Sequence, residues 1–372
     1  MNLDAGGKEM EDQDAMTINL KPGDPVPMPP EPRPQHEIIA QWKGDIEKPL
    51  VSICCITYNH EQYIEDALNG FLGQITDFPF EILINDDAST DNTPEIVRRY
   101  AEAYPKLIKA IYQTENKYSK GYMPNPSFNF PRAEGEFIAM CEGDDYWLSQ
   151  HKLQQQYQIA KDNQVSVIFH SALELNMDNQ DKKVVSRQQN YDGFIPLKDS
   201  VLGRGYFMPT ASLFFHAKII KERLYWFEND WPIGDFFLQM ILSYEGKIYY
   251  IDEPMCLYRR NAQGSWTHKQ KQKSEAIRFN HAMVSGIMKL YRLLGDRERK
   301  HLLAYPAFFY SKRLAYEKGE PILSIIWTAS SVFLWDVSWS FKALYFMNAV
   351  YLPFSIVFRK IRNFQKLISR AL

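Results

Sequence analysis

The chain is poor in the features that mark secreted, zinc-clipped or membrane-spanning proteins. Its four cysteines, Cys54, Cys55, Cys141 and Cys256, lie in or beside apolar strand-like runs, with no Cys-x-x-Cys and no paired histidines. They read as buried free thiols in a reducing compartment, so neither a zinc site nor a disulfide framework is expected. The first 36 residues lack the apolar core of a signal peptide, which predicts a protein that is not exported. No uncharged run reaches the roughly 20 residues of a membrane span, because Asp336 and Lys342 interrupt the most apolar stretch, Ile322 to Phe358. Charge is nearly balanced, at −2 net with a pI near 6.5. A nucleic-acid partner, which calls for a basic surface, is therefore not expected. Apolar side chains, at 45% of the sequence, exclude a generally disordered chain.

What is there is a recurring acidic turn. Asp144 and Asp145 stand in Glu142-Gly143-Asp144-Asp145-Tyr146-Trp147, behind the apolar run Phe137 to Cys141, which reads as a buried strand. Adjacent acids at the carboxyl end of a core strand serve packing poorly and suit a divalent cation held against a diphosphate. Taken alone they fit a solvated turn before a helix equally well. The pattern has company, however. Leu50 to Asn59 runs from an apolar strand into a polar turn, and Tyr63, Ile64, Ala67, Leu68 and Phe71 follow at helical spacing. Phe80 to Asn85 forms a second strand ending in Asp86-Asp87-Ala88-Ser89-Thr90-Asp91-Asn92-Thr93, where Pro94 opens the next helix with Thr93 as its N-cap. Strand, polar turn and helix, repeated, predict a doubly wound α/β sheet with ligand groups at strand carboxyl ends.

The segments Ile56-Thr57-Tyr58-Asn59, Asn85 to Thr93 and Glu142-Gly143-Asp144-Asp145 resemble the three signature stretches of family 2 glycosyltransferases, over roughly residues 49–260. The resemblance implies the GT-A fold, a Rossmann-like mixed sheet that binds a nucleotide-diphosphate sugar with Mn2+ or Mg2+. It also implies that Asp87 reads the ring N–H of uracil or a related base, so a UDP- or dTDP-sugar is expected. Thr57, Tyr58 and Asn59 leave the first strand where a base or ribose would lie. Ser89 and Asp91 read as turn chemistry, since such side chains bond their own backbone. Glu142 stands where family members usually carry Asp; it keeps the charge on a longer arm, in a ribose or metal role. Asp144 is the first choice as metal ligand and Asp145 the second.

Inverting transfer needs a group to take the acceptor's proton, and a carboxylate within reach serves. In Trp231 to Met240, Asp235 stands before a helix with an apolar face that includes Phe236 and Met240. The family usually has Glu-Asp here, and Gly234-Asp235 keeps the second acid, so Asp235 is expected as the base. An N-cap is the plainer role, and both are compatible. Beyond a strand at Glu253–Leu257, Arg259 or Arg260 suits bidentate contact to a diphosphate, with Gln263-Gly264-Ser265 free to close over the donor; solvated loop arginines are the alternative. Processive relatives carry Gln-x-x-Arg-Trp. Here Gln263-Gly264-Ser265-Trp266 lacks the arginine, which implies addition of one sugar or a few.

Three regions are expected: a disordered Pro-rich tail over 1–36, a GT-A domain over 37–270, and a helical region over 271–372. In the last, no acid follows Asp336, whereas Lys342, Arg359, Lys360, Arg362, Lys366 and Arg370 do. Drawn as a helix, 354–372 has one apolar and one basic face, which suits the inner surface of a cell membrane; packing on the catalytic domain is the competing reading. The expected activity is sugar transfer to a glycan or lipid-linked acceptor in cell-surface polysaccharide synthesis, by a cytoplasmic, peripheral enzyme. Two alternatives stand beside it. A nucleotidyltransferase would carry a glycine-rich basic loop where Tyr58-Asn59-His60-Glu61 stands, and a non-catalytic membrane-assembly subunit would have no need of Asp87, Asp144 and Asp235.

Overall fold

Strands apolar on both faces can only be buried by layers on both sides, and that is the architecture observed. The computed structural model describes residues 24–203, 207–227, 231, 234–263, 273–294 and 300–316. Strands β1 (Val51–Thr57), β2 (Phe80–Asp86), β3 (Ile108–Tyr112) and β4 (Phe137–Met140) run parallel in the order β3-β2-β1-β4. The sheet then turns mixed. A short β9 (Phe214–His216) lies antiparallel between β4 and β6 (Val165–Asn176), and β10 (Lys247–Arg260) runs parallel to β6. The two-residue β5 (Tyr146–Trp147) pairs antiparallel with β10, bringing the chain just after the acids beside Cys256 and Leu257. β7 (Lys182–Val185) and β8 (Gly193–Ile195) add to β6 and β10.

Helices α2 (Ile64–Leu72), α3 (Thr93–Ala103) and α4 (Lys152–Asn163) cover one face, with Ala67, Leu68, Phe71, Val97 and Leu153 against Ile53, Ile82 and Ala139. The other face is covered by α7 (Gly234–Glu245) and two C-terminal helices, Lys273–Leu293 and Ala304–Tyr316. Phe236, Phe237 and Met240 are fully buried there, each supplying about 1.5–3 kcal/mol of burial. Gly286 lets the first C-terminal helix approach closely, since a Cβ would stand 2.5 Å from Phe237 Cζ. This part of the region expected to be helical is thus joined to the core. Residues 317–372, including the apolar stretch and basic face, lie outside the described residues.

Two expectations are corrected. The Pro-rich segment is extended, but from residue 24 onward it is docked rather than loose. Tyr146 Oη donates to Pro27 O at 2.6 Å, Val26 packs beside Leu257 and Tyr146, and Arg33 N donates to Leu72 O. A short α1 (Gln35–Ala40) then buries Ile38. The second correction is the cap of α3. Thr93 is the first helical residue, and its hydroxyl accepts the His60 N–H at 2.8 Å instead of capping its own helix. Asp91 does that work, taking the Thr93 N–H at 3.0 Å.

Candidate active site

The register of the parallel strands brings three turns to one edge. Thr57 ends β1 beside Asp86 of β2, and beyond β4 the Gly143 N–H donates to Ile56 O at 2.9 Å. Glycine is required at 143, because a Cβ would lie 2.7 Å from Thr57 Oγ1 and 3.0 Å from His60 Nδ1. The first and third turns are therefore pressed together.

The second turn is held by its own polar groups. Ser89 Oγ donates to Asp86 Oδ1 at 2.5 Å, the Ser89 N–H reaches Asp86 Oδ2, and Asp91 Oδ2 accepts the Glu61 N–H. Burial pushes the Asp86 carboxyl up and the Ser89 bonds work against that rise. Asn59, in the left-handed region at φ 56°, accepts the Thr90 N–H on Oδ1 at 2.8 Å and donates its own N–H to Ser89 Oγ. Its side-chain oxygen ties two turns together. Asp87, 3% exposed, accepts the N–H groups of Lys117 at 2.8 Å and Tyr118 at 3.0 Å, one on each oxygen. It anchors the segment after β3, and each oxygen keeps a second lone pair. Thr57 is buried and Tyr58 half-buried at the same edge.

The third turn carries the densest charge. Carboxylate oxygens of Glu142, Asp144 and Asp145 lie within 4.8 Å of one another, the first two half-buried and the third buried. Burial, and then the charges of its neighbours Asp144, Asp145 and Asp235, push the Glu142 carboxyl well up. Burial and Asp144 do the same to Asp145, against the Arg259 N–H bonded to it. Three hard oxygen donors that repel one another fit a divalent cation, whose charge would relieve the crowding.

Arg259 is engaged with the acidic turn itself. Its N–H bonds Asp145 Oδ1 at 2.8 Å, its Nη1 bonds Asp144 O at 2.8 Å, and its Nη2 pairs with Asp66 Oδ2. The guanidinium lies over the rings of Tyr63 and Tyr146, 5.0 and 4.7 Å from their centroids, and the residue is 8% exposed. With two of its guanidinium N–H groups and its backbone N–H engaged in this way, it braces the acidic turn. Arg260 is also engaged, with Glu174. Of the loop expected to close over the donor, Gly264 and Ser265 lie outside the described residues.

Asp235 sits in the first turn of α7, where an acid is favoured by the helix dipole. Its Oδ1 accepts the Phe236 N–H at 2.7 Å, and burial raises its carboxyl to about 6. Its charge contributes to the upward push on the Glu142 carboxyl and the Tyr118 hydroxyl. Three residues here escaped sequence reasoning. Tyr118 reaches the acids because Asp87 anchors its backbone. Asp66 holds Arg259 from α2. His60 sits buried between Thr57 and Asp144, and its place in the polar turn after β1 was the only available signal.

Comparison with known proteins agrees with this geometry. The family model described as glycosyl transferase family 2 matches residues 52–264, more than half of the chain. The chain belongs to glycosyl transferase family 2. This family 2 chain is 33% identical over 258 residues, 68% of its length and 71% of the relative's, to an uncharacterized protein of Mycobacterium tuberculosis. It is 31% identical over 140 residues, 38% of its length and 52% of the relative's, to an Escherichia coli enzyme named UDP-Glc:alpha-D-GlcNAc-diphosphoundecaprenol beta-1,3-glucosyltransferase. Among solved structures, Staphylococcus aureus TarS in complex with UDP-GlcNAc superposes with a TM-score of 0.60 at 18% identity, covering 82% of this chain and 88% of that one. That likeness shows the GT-A fold. The family 2 chain is thus a glycosyltransferase, and the nucleotidyltransferase and non-catalytic alternatives are set aside.

Proposed function

We propose that the protein transfers one sugar, with inversion, from a UDP- or dTDP-sugar to a hydroxyl of a glycan or lipid-linked acceptor in cell-surface polysaccharide synthesis. The observation that carries this reading is the cluster of three carboxylates in the third turn, at the carboxyl ends of the parallel strands. Glu142, Asp144 and Asp145 would hold Mn2+ or Mg2+, and a cation there would offset charge on the departing diphosphate. Thr57, Tyr58 and Asp87 border the place for the nucleoside, with the free lone pairs of Asp87 available to a ring N–H.

Asp235 supplies the base. Its carboxyl, raised to about 6 by burial, is ionised near neutrality yet more basic than an ordinary aspartate. As the acceptor oxygen bonds the anomeric carbon, its proton passes to Asp235, and the electron pair of the breaking glycosyl bond leaves with the diphosphate oxygen. The acceptor class follows the E. coli relative, whose name specifies a diphosphoundecaprenol-linked sugar. A membrane-surface location rests on the basic, aromatic tail sequence. Among the described residues no helix is long and apolar enough to cross a membrane.

The deciding experiment measures binding and turnover of a panel of nucleotide sugars, with and without Mn2+, in the wild type, Asp144→Ala and Asp235→Asn. Metal-dependent binding lost in Asp144→Ala, and turnover lost with binding kept in Asp235→Asn, are the expected results. Failure of every nucleotide sugar to bind, with or without Mn2+, would overturn the reading.

A further inference from the structure

His60 is the one imidazole set against the acidic turn among the described residues. It is 8% exposed, its Nδ1 lies 3.2 Å from Thr57 Oγ1, and its Nε2 lies 4.0 Å from Asp144 Oδ2. The ring cannot drift. Its backbone N–H is bonded to Thr93 Oγ1, Gly143 packs against Nδ1, and Tyr63 meets its edge at 6.4 Å between centroids. A carboxylate only accepts hydrogen bonds, so the tautomer suited to Asp144 carries its proton on Nε2, with the Thr57 hydroxyl donating to Nδ1. At 4.0 Å the Nε2–Oδ2 contact is longer than a hydrogen bond. Rotation of the Asp144 carboxylate, whose terminal torsion is soft, would close it.

We infer that His60 is a positioning residue that couples the nucleoside side of the crevice, through Thr57, to the cation side, through Asp144. This rests on the reading of Asp144 as a metal ligand. Of the three acids, Asp145 is oriented by the Arg259 N–H, whereas the side chain of Asp144 has His60 as its neighbouring donor. Ligating carboxylates need such outer partners, and losing one typically costs about 10- to 100-fold in metal affinity. The consequence is specific to this chain's polar turn: occupation of the nucleoside end and orientation of the cation ligand share one side chain.

The test compares His60→Asn with His60→Gln in the full-length protein. Asparagine places its amide near Nδ1 and keeps the Thr57 contact alone, whereas glutamine reaches toward the Nε2 position and Asp144. Both are polar and smaller than or similar to histidine, so a thermal melt close to wild type is expected for each. Mn2+ affinity in the presence of UDP, read from the electron paramagnetic resonance signal of free Mn2+, should fall about 10- to 100-fold in His60→Asn and recover most of that in His60→Gln. UDP binding without metal, read by calorimetry, should stay within about twofold of wild type in both, and excess Mn2+ should restore turnover to His60→Asn. Equal Mn2+ affinity in wild type and His60→Asn would overturn the inference while leaving the transferase reading intact. Equal losses in both variants would also overturn it, since glutamine would then give no recovery through Asp144. A wild-type protein that binds neither Mn2+ nor UDP would overturn both.

Discussion

The turns that follow β2 and β4 are alike in composition and opposite in use. Asp86-Asp87 and Asp144-Asp145 each leave a buried parallel strand, and each pair lies at the same sheet edge. After β2, every carboxylate oxygen meets a donor: Ser89 takes both oxygens of Asp86, and Lys117 and Tyr118 take those of Asp87. After β4, three carboxylates crowd within 4.8 Å, and one Asp145 oxygen meets the Arg259 N–H. An acid with local N–H partners is scaffold first. An acid whose neighbours are other acids suits the cation-holding role proposed for this turn. The difference lies in the donors that surround each turn, and those come from distant segments.

The largest effect should come from the acid whose charge adds to that of the β4 turn. Asp235→Asn removes the proposed base without changing shape, and turnover should fall by about 10²- to 10⁴-fold with donor affinity kept. Because the Asp235 carboxyl titrates at about 6, raised by burial, it is protonated and idle below that pH. The wild-type kcat/KM should therefore climb as pH rises through about 6 and then level. A flat profile from pH 5 to 8 would remove Asp235 from the role.

Next comes the brace behind that turn. Arg259→Lys keeps the charge but loses the planar fork that reaches Asp144 O and Asp66 together while stacked between Tyr63 and Tyr146. Mn2+ affinity should drop roughly 10-fold or more, with UDP affinity in the absence of metal unchanged. If UDP binding fell instead, Arg259 would be a phosphate contact after all. The comparison between the turns would then lose its clearest structural support.

How much of this was legible follows the same division. Strands β1, β2 and β4 were readable because they are apolar on both faces and their turns are polar, whereas the partly exposed β3 went unread. Signals of that kind are local. The acids were found for the same reason, and so was Asp235 at its helix start. What the sequence hid was the partner of each group. Arg259 reads as a phosphate clamp, and only the pairing of β10 with β5 sets it against Asp66, which lies on α2 nearly two hundred residues earlier. Asn59 reads as a nucleotide contact, with nothing local to show that its oxygen meets Thr90. The docking of residues 24–34 was likewise invisible, since a proline-rich stretch reads as extended whether or not Tyr146 and Leu72 wait to receive it.

A smaller effect is expected from the β2 turn at Asp87→Asn. The amide offers one acceptor oxygen to two N–H donors, so one of Lys117 and Tyr118 would face an NH₂ group. A loss of about 1–3 kcal/mol in stability follows from leaving a buried donor unpaired. Hydrogen exchange should rise across residues 117–123, and donor KM should increase because the segment carrying Tyr118 is released. An increase in KM with no change in exchange would make Asp87 a direct base contact and nothing more.

The smallest effect sharpens the contrast most. Ser89 Oγ donates to Asp86 and accepts the Asn59 N–H, so Ser89→Ala removes two hydrogen bonds from the turn after β2. Each such bond is worth about 1 kcal/mol net, and a fall in thermal stability of that order per bond is expected. Losing the Ser89 hydroxyl leaves only its backbone N–H to work against burial at Asp86, whose carboxyl should titrate higher. Mn2+ affinity and turnover should match wild type, because nothing Ser89 holds is a candidate ligand. If Ser89→Ala weakened metal binding as much as Arg259→Lys does, scaffold and ligand would not be separable by counting local donors. The two acidic turns would then have to be read as one site.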